Sequence, residues 1–163
     1  MIPFGVVRGS TVLLVDDEKD ILSICAEYLN GNGIQTILAN NGAAALRLLE
    51  ERAGRDEPPC AAIVCDWMMP VMDGLTLLAR VRSSEFRQMP FVLMSGAVSR
   101  DVLLTAVKHD PDAVLLKPFP IATLLAKIEE AIKSRERKER ARMQAGAKPP
   151  GSPARPGPTA PHP

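Results

Sequence analysis

Five short apolar runs recur along the chain, at residues 11–17 (TVLLVDD), 34–39 (IQTILA), 61–66 (AAIVCD), 91–95 (FVLMS) and 113–118 (AVLLKP). Each has the length of a strand, and most are apolar at consecutive positions rather than at every second one. A strand that is apolar on both faces belongs in a parallel sheet covered on both sides. The intervals between the runs carry the helical period instead. In residues 20–29, Ile21, Ile24, Cys25, Tyr28 and Leu29 fall three or four apart on one face. Asn30-Gly31-Asn32-Gly33 follows, a stop built from residues that accept positive φ. Residues 42–52 and 74–84 predict two further helices, and Asp101–Lys108 a shorter fourth. The last is the clearest, with Ile121, Leu124, Leu125, Ile128 and Ile132 in one stripe and Pro120 near its start, where proline is tolerated. Strand and helix alternating in this way predict a doubly wound α/β domain. Such sheets bind ligands at the carboxyl ends of their strands, beside the point where strand order reverses.

The pattern changes after Ile132. Residues 133–142 (KSRERKERAR) are a charged run that reads as a fraying extension of the last helix, usually a solvated helix end. From Gly146 onward 7 of 18 residues are proline and none is aromatic, so no core can form there and a disordered or extended tail is expected. The expected organisation is an N-terminal extension at 1–10, a folded domain at 11–133 and a charged, then Pro/Gly-rich tail at 134–163, with no second folded domain and no DNA-binding domain. Charge follows the same division. Residues 1–132 hold 12 Lys/Arg against 17 Asp/Glu, net −5, whereas residues 133–163 hold 8 against 2, net +6.

Composition excludes some classes. No apolar stretch approaches the roughly 18 residues needed to span a bilayer. The first ten residues, MIPFGVVRGS, lack the long apolar centre of a signal peptide. Three cysteines, Cys25, Cys60 and Cys65, are an odd number without metal-ligand spacing. Cys25 and Cys65 lie inside apolar patterns and read as core, and a cytoplasmic protein is the natural expectation. His109 has no ligand partner at useful spacing and reads as a loop residue. Trp67, the sole tryptophan, reads equally as a spacer and as a partner contact.

The polar residues at the strand ends carry the chemistry. Asp16 and Asp17 end the first strand, Asp66 the third, Ser95 the fourth and Lys117 the fifth, so the α/β pattern brings all five to one edge of the sheet. Three clustered carboxylates repel at neutral pH and call for a cation. Their all-oxygen donor set suits Mg²⁺, which keeps several waters and takes one or two carboxylates directly. Ser95, with Gly96 and Ala97 after it, leaves room for a group the size of phosphate. Asp66 is then the candidate nucleophile for an aspartyl-phosphate, with the metal and Lys117 stabilising the transferring oxygens.

In their ordered combination, LLVDDE at strand one, VCDWMMPVMDG around strand three, LMSG at strand four and LLKPF at strand five resemble the receiver domain of two-component response regulators over about residues 11–133. The resemblance implies a flavodoxin-like, CheY-like (βα)5 three-layer sandwich with a five-stranded parallel sheet. It implies Asp66 as phosphoacceptor, Asp17 as direct Mg²⁺ ligand, Asp16 acting largely through water, and Met68 lending its backbone carbonyl to the metal. Ser95 is implied to contact the phosphoryl group, Lys117 to pair with it, and Lys117–Pro118 to be cis. Implied partners are a sensor histidine kinase or histidine phosphotransfer protein, plus a downstream protein at the surface of the fourth helix, fifth strand and fifth helix. Homodimerisation is left open. One departure is Val114, where the family usually has Tyr or Phe three residues before the lysine, so transmission to that surface is in question. A milder one is HDPDA (109–113), where Gly-Ala is common, affecting the local turn. The leading expectation is a stand-alone, phosphorylatable receiver that signals by changed protein–protein binding and is not an enzyme. A pseudo-receiver acting without phosphorylation is the alternative. A small-molecule phosphatase of the haloacid-dehalogenase type is a poor fit, because it needs an acid two residues after the nucleophile and Met68 stands there.

Overall fold

The structure, a computed structural model, describes residues 8–96 and 99–146. Expectations for the first seven residues, for Ala97 and for the proline-rich segment from 147 onward lie outside the described residues. In chain order the elements are β1 (Thr11–Val15), α1 (Lys19–Gly31), β2 (Gln35–Ala39), α2 (Gly42–Gly54), β3 (Ala62–Asp66), α3 (Gly74–Arg82), β4 (Phe91–Ser95), α4 (Arg100–Lys108), β5 (Ala113–Leu116) and α5 (Ala122–Gly146). All strand pairs are parallel, in the order β2-β1-β3-β4-β5. Strand order therefore reverses between β1 and β3, and the carboxyl ends of these two strands flank the crevice where a doubly wound sheet binds ligands.

The consecutive apolar runs of β1, β3 and β4 are buried on both faces, as expected, whereas β2, at the sheet edge, leaves Leu38 exposed. Along β1, Val12 and Leu14 face one layer while Leu13 and Val15 face the other, and all four are buried. The first layer is α1 and α5, through Leu22, Cys25, Leu29, Leu124, Ile128 and Ile132. The second is α2, α3 and α4, through Ala45, Leu49, Leu77, Leu78, Val81 and Ala106. This is the three-layer (βα)5 sandwich. Each fully buried Leu or Ile in it contributes on the order of 1.5–3 kcal/mol.

Helix ends follow from local chemistry. Asn41 and Asp73 cap α2 and α3 by accepting from Ala44 N and Thr76 N, each at 2.8 Å. The stop after α1 closes with Ile34 N donating to Leu29 O and Gly33 N to Asn30 O, both at 3.0 Å, with Gly33 at φ +79°. Leu29 and Ile34, which flank that closure, are both buried.

One expectation needs correction. The charged run is not a frayed end: α5 runs unbroken through it to Gly146. Nor is the run wholly solvated, because Arg135 is only 4% exposed while Glu136 and Arg137 face solvent. Asp112 explains this. Its carboxylate, fully buried at the start of β5, accepts from Arg82 at 2.7 Å and pairs with Arg135 at 2.9 Å and Lys138 at 3.2 Å. It also accepts from Phe91 N at 2.9 Å, completing the first backbone group of β4. The HDPDA segment, read as a departure of only local consequence, thus docks the basic helix onto the strand ends.

Candidate functional site

Asp16 follows the last residue of β1 and Asp66 is the last of β3. Both residues are buried, with side chains 0% and 10% exposed, while Asp17 next door is exposed. One ligand atom from each of Asp16, Asp17 and Asp66 lies within 4.8 Å of the others. At that spacing a pair of unit charges repels by roughly 3 kcal/mol at the effective dielectric of a partly wet site. Lys117, just past β5, is the answering cation: its Nζ lies 2.8 Å from Asp16 Oδ2 and 3.3 Å from Asp66 Oδ1. Three carboxylates against one ammonium leave two negative charges, which a divalent cation matches. The residues therefore fit Mg²⁺ by donor type and by charge.

Burial, then the neighbouring Asp16 carboxylate, push the Asp66 carboxyl up to about 6, against the pull of Lys117. Burial works against the Lys117 ammonium, but its bond to Asp16 and the Asp66 charge outweigh that and hold it above the usual lysine range. The two shifts describe one balance, in which a single cation only partly neutralises the cluster.

The backbone places these groups. Asp16 N donates to Ala39 O at 3.1 Å, and Asp16 Oδ1 accepts from Glu18 N at 2.9 Å, tying the acidic loop to β2 and to the start of α1. Trp67 N donates to Met94 O at 2.9 Å, extending the β3–β4 pairing one residue past Asp66. Ser95, 2% exposed, ends β4 beside it, and its carbonyl accepts from Lys117 N at 2.8 Å. The Lys117–Pro118 bond is cis, as expected. Met68 lies two residues past Asp66 and is 73% exposed, so the thioether takes no part in the cluster.

Two features of this edge escaped the sequence. Gly74 reads as a turn residue, yet its role is close approach: Gly74 N donates to Trp67 O at 2.8 Å, and a Cβ at residue 74 would overlap the Asp66 carbonyl. The glycine in MDG is the only local signal for it. Val71, 84% exposed, has φ +70°, and Met72 N bonds Pro70 O across it at 2.8 Å. This is a γ-turn, a strained conformation for a β-branched residue.

Residues 12–129 match the response regulator receiver domain as a family. The chain belongs to that family. Among curated relatives, this receiver is 32% identical over 129 residues to the transcriptional regulatory protein PrrA of Mycobacterium bovis, a match covering 79% of the chain and 52% of PrrA. It is 30% identical over 120 residues to the chemotaxis protein CheY1 of Helicobacter pylori, covering 72% of the chain and 93% of CheY1. The chain thus spans about half the length of PrrA and nearly all of CheY1. Among solved structures, the receiver domain of the Francisella response regulator 1452 superposes with a TM-score of 0.66 at 31% identity, covering 77% of this chain and 98% of that one. Receivers are signalling domains of two-component systems, phosphorylated on an aspartate and partnered by histidine kinases. They typically bind Mg²⁺ in an acidic pocket. Among the described residues no helix is long and apolar enough to cross a membrane.

Proposed function

We propose that this receiver accepts a phosphoryl group on Asp66 from the phosphohistidine of a sensor kinase or phosphotransfer protein, in a Mg²⁺-dependent reaction, and signals as a stand-alone module by altered protein–protein binding. The observation that carries this reading is the Lys117 ammonium between Asp16 and Asp66, with Asp17 completing a trio of carboxylates. Mg²⁺, held by Asp16, Asp17, Asp66 and the Met68 carbonyl, would supply the positive charge that lets an anionic phosphoryl group approach an anionic carboxylate.

The chain's own groups do the rest. An Asp66 oxygen attacks phosphorus, the P–N bond to the donor imidazole breaks, and its electron pair returns to nitrogen, leaving an acyl phosphate. Lys117 follows the charge from the carboxylates to the incoming phosphoryl oxygens. The Ser95 hydroxyl, beside Asp66 at the end of β4, would meet another of those oxygens. A donor must bring its histidine to a nearly buried carboxyl, so it covers the surface around it. There, Ile21, Ile24, Phe119 and Ile121 line an apolar hollow of about 360 Å³ next to Lys117. Ile24 is 57% exposed. The likeness to CheY1, matched over 93% of its length, supports action without an attached effector, and three buried free cysteines suit a reducing cytoplasm as the proposed location.

The second reading, a pseudo-receiver that acts without phosphorylation, is favoured by one observation. Val114 is half-buried on β5, opposite Leu93, where the family usually places an aromatic ring. Incubation with a small acyl-phosphate donor and Mg²⁺, read by intact mass, separates the two. A gain of one phosphoryl group in wild type and none in Asp66→Asn supports phosphorylation at Asp66. No gain in either protein refutes it, and an equal gain in both moves the acceptor elsewhere.

A further inference from the structure

At the opposite edge of the sheet, where the strands begin, a cavity of about 540 Å³ opens between the C-terminal ends of α3 and α4 and the basic stretch of α5. Its lining includes Arg82, Arg87, Lys108, Arg135, Lys138 and Arg142. These six cations fall into two groups. Arg82, Arg135 and Lys138 form the floor, and their donors are occupied. Arg82 binds Asp112 and the carbonyls of Arg87 and Met89, while Arg135 and Lys138 bind Asp110 and Asp112. The rim is different. Arg87 and Lys108 are exposed and have no carboxylate partner among the described residues, and Arg142 meets only Glu139, at 3.9 Å.

Basic residues at helix C-termini offset the macrodipole, worth about half a negative charge per helix. The α3 and α4 ends together therefore absorb about one positive charge. Asp110, Asp112 and Glu139 offset three of the six cations, which leaves about two positive charges with no carboxylate paired to them among the described residues. They face a concave space within the size range of small-molecule sites, roughly 300–1,000 Å³.

We propose that this cavity binds a short polyphosphate chain, at a site separate from Asp66. Guanidinium forks match phosphate oxygens in pairs. The floor is held rigid by the buried Asp112, so its charge is positioned before any ligand arrives. Recognition is of the phosphates alone, because among the described residues no aromatic ring other than His109 lines the cavity to stack a base. Inorganic triphosphate and the triphosphate of a nucleotide would both fit that chemistry.

Titration calorimetry of the full chain with sodium tripolyphosphate in Mg²⁺-free, low-salt buffer tests this. The expected result is one-to-one binding that weakens steeply as salt rises. The variant Arg87→Ala/Lys108→Ala/Arg142→Ala, which alters only exposed side chains, should bind on the order of tenfold to a hundredfold more weakly. Its Asp66 phosphorylation should be unchanged, and Asp66→Asn should bind tripolyphosphate as wild type does. ATP and GTP matching tripolyphosphate supports phosphate-only recognition, whereas a preference for one nucleotide above about tenfold overturns it. Equal binding by wild type and the triple variant, or by orthophosphate at matched ionic strength, also overturns the proposal. So does a DNA duplex that binds more tightly through the same three residues, which would make the surface a nucleic-acid contact.

Discussion

Removing the charge of Asp66 should stabilise the metal-free protein, and only where that carboxyl is ionised. In the fold its pKa is raised from 3.8 to about 6, by burial first and by Asp16 second. For an acid whose folded value is raised, the folded state binds the proton more tightly than the unfolded state. Stability is then greatest below the unfolded value and is lost as pH rises through the window between the two. A shift of about two units corresponds to roughly 3 kcal/mol at neutral pH. The site opens to solvent on one side, and screening reduces this to about 1.5 kcal/mol. The substitution Asp66→Asn keeps the shape and removes the charge, so with EDTA present it should melt about 5 °C above wild type at neutral pH. Other carboxylates titrate in the same window, so the decisive quantity is the difference between variant and wild type. Measured by urea unfolding, it should grow by about 1 kcal/mol between about pH 4.5 and about pH 7.5. A difference that is flat with pH, or a variant less stable than wild type at both values, would refute the reasoning. Lys117 would then neutralise the cluster more fully than its distances imply.

Three further outcomes follow from the same geometry. Gly74→Ala drives a methyl group into the Asp66 carbonyl, so thermal unfolding should show a loss of about 1–3 kcal/mol and acyl-phosphate labelling at Asp66 should slow; a silent substitution would mean the loop yields freely. Asp112→Ala leaves the guanidiniums of Arg82 and Arg135 without their buried carboxylate and should cost about 3–5 kcal/mol in urea unfolding, with loss of helicity in the far-ultraviolet as the end of α5 is released. Millimolar Mg²⁺ should change Trp67 emission in wild type and not in Asp17→Ala, since Trp67 adjoins Asp66; identical spectra with and without the ion in both proteins would count against a metal at this cluster.

The parts of this molecule legible in the sequence are those whose cause is local or periodic. Both-face apolar runs predict buried parallel strands, and a buried parallel sheet carries its ligand groups at the strand ends, so the sequence alone places Asp16, Asp66 and Lys117 together. The length of α5 was hidden for a related reason. Its apolar stripe ends at Ile132, and beyond it the partner of Arg135 and Lys138 is a carboxylate more than twenty residues away in the chain. No window on the sequence joins KSRERK to HDPDA. Gly74 and Val71 show a second limit. Composition marks Gly74 as a turn residue and gives no sign of the turn at Val71, and whether a glycine serves a turn angle or a close backbone contact depends on what lies above it, here the Asp66 carbonyl.

The two edges of the sheet carry opposite excess charge, and this constrains how they can act on one another. At the carboxyl edge, three carboxylates face one ammonium, an excess of negative charge that a cation would offset. At the amino edge, six cations face three carboxylates, so anions are drawn in without one. Strand β5 joins the edges, with Asp112 preceding its first residue and Lys117 following its last. An anion at the amino edge would compete with Asp110 and Asp112 for the floor cations and would meet no group that holds Asp66. A divalent cation at the carboxyl edge would meet no group that holds Arg135. Occupancy of one edge should therefore leave affinity at the other unchanged unless β5 itself shifts. Coupling between tripolyphosphate affinity and Asp66 phosphorylation, measured on the same protein, would be direct evidence that it does.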